Sequence, residues 1–153
     1  MPSTPPVSGL ADHLGYWLRY VSNHVSQAFA RKVEARGVTV AEWVLMRQLL
    51  EVDAIAPSRL AERMGMTRGA VTKLAGRLIA KSLIARAANP HDGRAQTLCL
   101  TPPGRALVPE LAALADANDA EFFAALAPED RVVLLRVLRE IVEKRGLTSV
   151  PVD

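Results

Sequence analysis

The chain has 153 residues, 50% of them hydrophobic and 23% charged, with a net charge of +3. These values fit one globular domain and exclude the poorly hydrophobic, highly charged chains that stay unfolded. No apolar run reaches the ~18–20 residues of a membrane span, and a lone cysteine, Cys99, excludes an intrachain disulfide.

Residues 1–9 are rich in Pro and Ser and predict a disordered lead. They lack a basic region followed by an apolar core, so they do not read as a secretory signal, and a cytoplasmic protein is expected. Residues 10–36 read as one long helix, with Leu10, Leu14, Leu18, Val21, Val25, Ala28 and Phe29 at helical spacing and Gly37 as its end. Thr39 opens a second helix, and Glu42 three residues later completes a capping-box pattern. That helix carries Trp43, Val44, Leu45, Leu49 and Leu50 and fades near Asp53.

Pro57 suits the first turn of a short helix and Gly65 its end. Thr67 is the expected N-cap of the next helix, which runs to about Lys81. Two helices joined by a short turn containing Gly are a helix-turn-helix signal. After Ser82 the period changes, and residues 83–87 and 96–100 read as two short strands. Between them lie Asn89, Pro90, His91, Asp92, Gly93 and Arg94, rich in turn formers. Such a hairpin forms a wing. Thr101 and Gly104 bracket the start of a long Ala- and Leu-rich helix to about Ala125. Pro128, Glu129 and Asp130 start the last helix, which ends near Gly146. The fold class expected is mainly α with a small β-wing.

Charge is segregated along this order. Residues 57–105 hold nine Lys/Arg against Glu62 and Asp92, a net +7, while the rest of the chain is at −4. A basic middle between acidic flanks marks a polyanion-binding module. The plainer alternative is that these bases only solvate helices.

The run from Leu60 to Gly65, with Thr67, Val71, Thr72, Leu78, Leu83, the wing residues Asp92 and Arg94, and Leu100, Thr101 and Gly104, resembles the MarR family. Gly37, Val38, Thr39, Glu42 and Trp43 match the start of its second helix. The resemblance spans roughly residues 10–145. It implies a winged helix-turn-helix over 39–101, flanked by dimerisation helices over 10–36 and 102–146, in a single domain of residues 10–146 with a tail at 147–153. It also implies a homodimer on a palindromic operator in double-stranded DNA, repressing genes until a small molecule or oxidant releases it. Three positions depart from the family pattern. Ser82 stands where a Gly usually precedes the wing, Gly93 where a second basic residue is common, and Gly76 where many members carry Asp.

Placed at ~100° per residue, Val71, Leu74, Ala75 and Leu78 share the face that packs on the core. Gly69, Thr72, Lys73 and Gly76 lie opposite, Arg77 on the flank, and Arg68 at the N-terminal tip that approaches base edges in a helix-turn-helix. Arg68 suits guanine O6 and N7, Thr72 a thymine methyl or a phosphate, and Lys73 a phosphate. Arg94 in the wing suits a narrow minor groove, with Asp92 to orient it and His91 and Arg86 as phosphate contacts. The alternative for each is an ordinary solvated residue.

The first helix carries a second stripe: His13, Trp17, Tyr20, His24, Gln27 and Arg31 fall within roughly 80°. Aromatics with hydrogen-bonding tips suit a small aromatic or phenolic effector, and Trp43 can line the same crevice. The competing reading makes these residues a dimer seam or a cap on the core. A homodimer is expected in either case. The first helix and the stripes Leu107, Leu111, Leu114 and Val133, Leu134, Val137, Leu138, Ile141 exceed what a small winged helix can cover. His13 and His24 lack the spacing of a helical metal pair, so no metal or cofactor is expected. The rival classes are a small enzyme and a protein–protein interaction module without DNA binding. Against the first stands the absence of a nucleophile–base pair, a Gly-rich phosphate loop or paired carboxylates at telling spacing. Against the second stands the basic middle.

Overall fold

The computed structural model describes residues 3–89 and 92–152. After a 3-10 turn at Leu10–Asp12, six helices and one hairpin follow: α1 (Leu14–Glu34), α2 (Val40–Leu50), α3 (Pro57–Met64), α4 (Arg68–Ala80), β1 (Ile84–Asn89), β2 (Asp92–Leu100), α5 (Pro102–Phe123) and α6 (Pro128–Arg145). This is the helical fold with a small β-wing that the sequence predicts.

The expected single helix over 10–36 is interrupted. His13 is extended (φ −98°, ψ 127°), and α1 begins only at Leu14. Local polar bonds explain the break: the Gly9 N–H donates to the Asp12 carboxylate at 2.7 Å, and Trp17 Nε1 donates to the Ala11 carbonyl at 2.9 Å. Such bonds compete with the helical ladder. Leu10 and Leu14 matched the helical period, yet both are exposed, so no packing enforces it.

Thr39 caps α2 by accepting from the Glu42 N–H at 3.2 Å. The capping box is only half made, because the Glu42 carboxylate turns inward and accepts from Lys81 Nζ at 2.8 Å. At the end of α3, Gly65 adopts the left-handed conformation (φ 61°) that a side chain disfavours.

The hairpin is antiparallel, pairing Ile84 with Leu100 and Arg86 with Leu98, and its strands extend beyond the expected 83–87 and 96–100 toward the loop. Ile55 bridges to Leu98 and fixes the hairpin to the loop before α3. The core runs through Val33, Leu45, Met46, Leu49, Leu60, Met64, Val71, Leu78, Ile84, Leu98, Val108 and Leu111. Leu111 is fully buried, and Leu107 and Leu114 pack on the same core. Of the α5 stripe expected at a dimer interface, Leu111 is therefore covered within the chain and Leu107 and Leu114 are covered in part, because α5 lies across α1 and α2. Gly104 permits a different close approach, of the start of α5 to the turn between α4 and β1: a Cβ there would overlap the Leu83 carbonyl. Helix α6 differs from all the others, with no buried residue.

Candidate nucleic-acid interface

The site is built on α4. Thr67 accepts from the Ala70 N–H at 3.1 Å and fixes where the helix starts. Val71, Leu74, Ala75 and Leu78 are buried, which holds one face against the core. Arg68, Gly69, Thr72, Lys73, Gly76 and Arg77 are all exposed, so the surface left outside carries three fixed positive charges and two glycines. The Thr72 hydroxyl donates to the Arg68 carbonyl at 2.9 Å. Its proton is thus committed to the helix, while its methyl and its acceptor capacity remain available to a ligand. A Cβ at Gly69 or Gly76 would meet nothing within 4 Å, so packing inside the chain requires neither glycine.

Arg86 is exposed on β1, opposite Leu98. Among the described residues, Arg68, Lys73, Arg77 and Arg86 form no ion pair, whereas Lys81 at the far end of α4 does. Lys81 binds the buried Glu42 and the Gly37 carbonyl (2.8 Å), so it ties α4 to α2 and leaves the basic surface. Sequence reasoning missed that pair. Its signal was the capping-box Glu itself, three residues into a helix whose inner face is apolar. His91 lies outside the described residues, as do the side chains of Asp92 and Arg94, whose backbone belongs to β2.

The stripe on α1 is partly assembled. Tyr16 meets Trp17 edge to face at 5.4 Å, and Tyr20 stacks on His24 at 5.3 Å between ring centres. Trp17, Tyr20 and His24 line one open groove of about 750 Å³, together with Leu14, Val21, Phe122, Phe123, Leu134 and Leu138. The structure does not bring His13 or Trp43 to it. The His13 ring lies 3.4 Å from the Leu10 carbonyl at the start of α1, and Trp43 packs half-buried on the core.

A smaller cavity of about 160 Å³ lies between α1, α2 and α5, lined by Val25, Ser26, Phe29, Val40, Ala115 and Asn118. Asn118 is buried there, donating to the Val25 carbonyl at 3.2 Å and accepting from Lys32 Nζ at 2.9 Å. This residue too was missed. It sits seven positions after Leu111 on the buried stripe of α5, and an Asn at an apolar position was the available signal. Among the described residues no cluster of His, Cys, Asp or Glu could hold a metal ion, and no helix is long and apolar enough to cross a membrane.

Comparison with known proteins follows the same lines. A model of the MarR family matches residues 36–95. An HTH-type transcriptional repressor of Mycobacterium tuberculosis is 32% identical over 141 residues, covering 90% of this chain and 98% of the relative. BpsR of Bordetella bronchiseptica, whose DNA binding is regulated by 6-hydroxynicotinic acid, is 26% identical with a TM-score of 0.77 over 89% of this chain and 97% of its own. A mutant of Escherichia coli MarR in complex with operator DNA shares the fold at 22% identity, with a TM-score of 0.75 over 84% of this chain and 93% of its own.

Proposed function

The chain belongs to the MarR family, a family of transcriptional regulators rather than enzymes, and from that premise we propose that it is a homodimeric, cytoplasmic repressor that reads a palindromic operator through α4. The observation that carries this reading is the division of α4 into a buried apolar face and an outer face of Arg68, Gly69, Thr72, Lys73, Gly76 and Arg77. Those side chains suit the major groove: Arg68 for guanine, Thr72 for thymine or phosphate, Lys73 and Arg77 for phosphate. Arg86 and His91 would add phosphate contacts, and Arg94, oriented by Asp92, would enter the minor groove beside each half-site.

A second copy is the proposed partner of α1 and α6. Val132 is 67% exposed and Leu135 49%, and no residue of α6 is buried by its own chain, an apolar surface of the kind that marks an interface. Two-fold symmetry then presents two α4 helices to two half-sites.

Release by a small aromatic acid or phenol is proposed at the smaller cavity between α1, α2 and α5, lined by Ser26, Phe29 and Asn118, while the larger groove of Trp17, Tyr20 and His24 is the seat of the second copy. Such a ligand acts only through a difference in its affinity for the DNA-competent and incompetent shapes. The test is a titration of duplex DNA from the region adjoining the gene at several salt concentrations. Affinity should fall steeply with salt and be retained by a palindrome over a scrambled duplex. Salt-insensitive or absent binding would leave the interaction-module reading standing.

A further inference from the structure

Beyond α6 the chain does not trail into solvent. Gly146 closes the helix in the left-handed conformation (φ 62°), and residues 147–152 run back to the end of α3. There the Val150 N–H donates to the Met64 carbonyl at 3.1 Å, and the Ser149 hydroxyl to the Gly65 carbonyl at 3.4 Å. Met64 is the last residue of α3, so its carbonyl has no partner within the helix, and the segment supplies one. Val152 packs against the core. A Cβ at Gly65 would collide with the Thr148 carbonyl, so the glycine that turns α3 toward α4 also admits this segment.

We propose that residues 147–152 are a strap that positions the recognition helix relative to the dimer. The inference rests on the DNA-binding reading above. The turn at Gly65 and Met66 leads directly to Thr67, the cap of α4, so whatever holds the turn sets the angle of Arg68 and its neighbours. The winged helix is joined to α5 at Thr101 and Gly104, which meet Ser82 and Leu83. The winged helix also shares its core with α1 and α5 through α2; the strap is a further junction, and it starts from α6, whose apolar surface awaits the partner copy. It differs from those junctions in bonding the α3–α4 turn itself, at Met64 and Gly65. The strap therefore transmits the seating of α6 in the dimer to the separation of the two α4 helices, and that separation must match one turn of DNA.

Two variants test it in the full chain: Val150→Pro, which removes the N–H donor to Met64, and Val152→Asp, which removes the apolar anchor. The probe is a palindrome selected by the wild-type protein from a random duplex library, together with versions whose half-sites are moved one base pair closer or farther apart. Wild type should bind the selected spacing best. Both variants should stay folded and dimeric, bind it roughly 3- to 30-fold more weakly, and discriminate less between spacings. The loss of spacing preference is the signature, because a lower folded fraction weakens all three duplexes alike. Unchanged affinity and spacing preference, or weaker binding with the preference intact, or unfolding of both variants, overturns the positioning role. A wild type that selects no palindrome sinks the DNA-binding reading itself, and the strap with it.

Discussion

Helices α4 and α6 are both rich in apolar residues and end in opposite conditions. In α4 the apolar positions Val71, Leu74, Ala75 and Leu78 form one narrow stripe, and all four are buried by the chain's own α2, α3 and hairpin. What remains outside is charge and bare backbone. In α6 the apolar residues from Val132 to Val142 spread over a wide arc, and none is buried. The difference lies in the width of the stripe, not in its hydrophobicity. A stripe matched to one neighbouring surface closes inside the chain; one wider than any surface on offer is left for a second copy. The same molecule thus separates the surface that reads DNA from the surface that sets how many readers act together.

The largest effect should come from breaking the second condition. Leu134 and Leu138 both line the groove between α6 and α1. Replacing both by Asp should give a monomer at micromolar concentration by light scattering. Operator affinity should fall by about 10²- to 10⁴-fold, because two linked half-site contacts become one. A dimer that survives would place the interface elsewhere. Next in size is the anchor of α4. Lys81→Ala leaves the Glu42 carboxylate, 1% exposed, without its cation. Lys81 itself is 39% exposed, so the loss should be below that of a fully buried pair, about 2–3 kcal/mol in urea unfolding. A loss under about 0.5 kcal/mol would mean that Glu42 swings back to complete its capping box.

Changes on the outer face of α4 should leave folding alone and act on DNA. Arg68→Ala should weaken the selected operator by about 1–3 kcal/mol and relax preference at one base pair. Lys73→Ala should weaken all duplexes alike and lower the salt slope by about one unit. Equal behaviour of the two would reassign Arg68 to the phosphates. A smaller loss is expected for Arg94→Ala, with stability unchanged within about 0.5 kcal/mol. That loss should be greater on sites with A·T-rich flanks.

How much of this was legible follows the same division. The α4 faces could be read from period alone because one stripe meets one core, and Thr67, Pro57 and Gly65 mark helix ends through backbone chemistry that depends only on neighbours in sequence. The stripe on α5 was legible as apolar but not as internal: Leu111 looks like an interface residue until α1 and α2 are in place. The break at His13 was hidden because Asp12 and Trp17 act through specific polar bonds that a hydrophobic period does not record. Glu42 and Asn118 were hidden for a related reason. Each is a polar residue whose partners, Lys81 and Lys32, lie 39 and 86 positions away in sequence. Cap chemistry alone accounts for a Glu at position 42, so the sequence carries no separate mark of its distant cation.

The smallest effect tests the junction between the two regions. Ser82 is the only non-glycine residue with positive φ among the described residues, at 60°. It follows the cap of α4, and the Leu83 N–H then donates back to the Leu78 carbonyl at 3.0 Å, so Ser82 occupies the left-handed position of a helix-ending turn. An L-residue there carries a penalty of roughly 1–2 kcal/mol that Gly escapes. Gly in turn loses about 0.4–1 kcal/mol by widening the unfolded ensemble. The balance predicts that Ser82→Gly stabilises the protein by roughly 0.5–1 kcal/mol. The Ser82 carbonyl, which accepts from the Thr101 hydroxyl at 2.7 Å, is retained, so the joint with α5 stays intact and operator affinity should not change. Urea unfolding at several protein concentrations gives the measurement. The gain should be the same at each, since it acts within one chain, whereas any change on α6 alters the concentration dependence itself. A lower midpoint would show that unfolded-state entropy outweighs the strain at this turn. A gain in stability accompanied by weaker DNA binding would show that the strained turn also sets the angle of the wing.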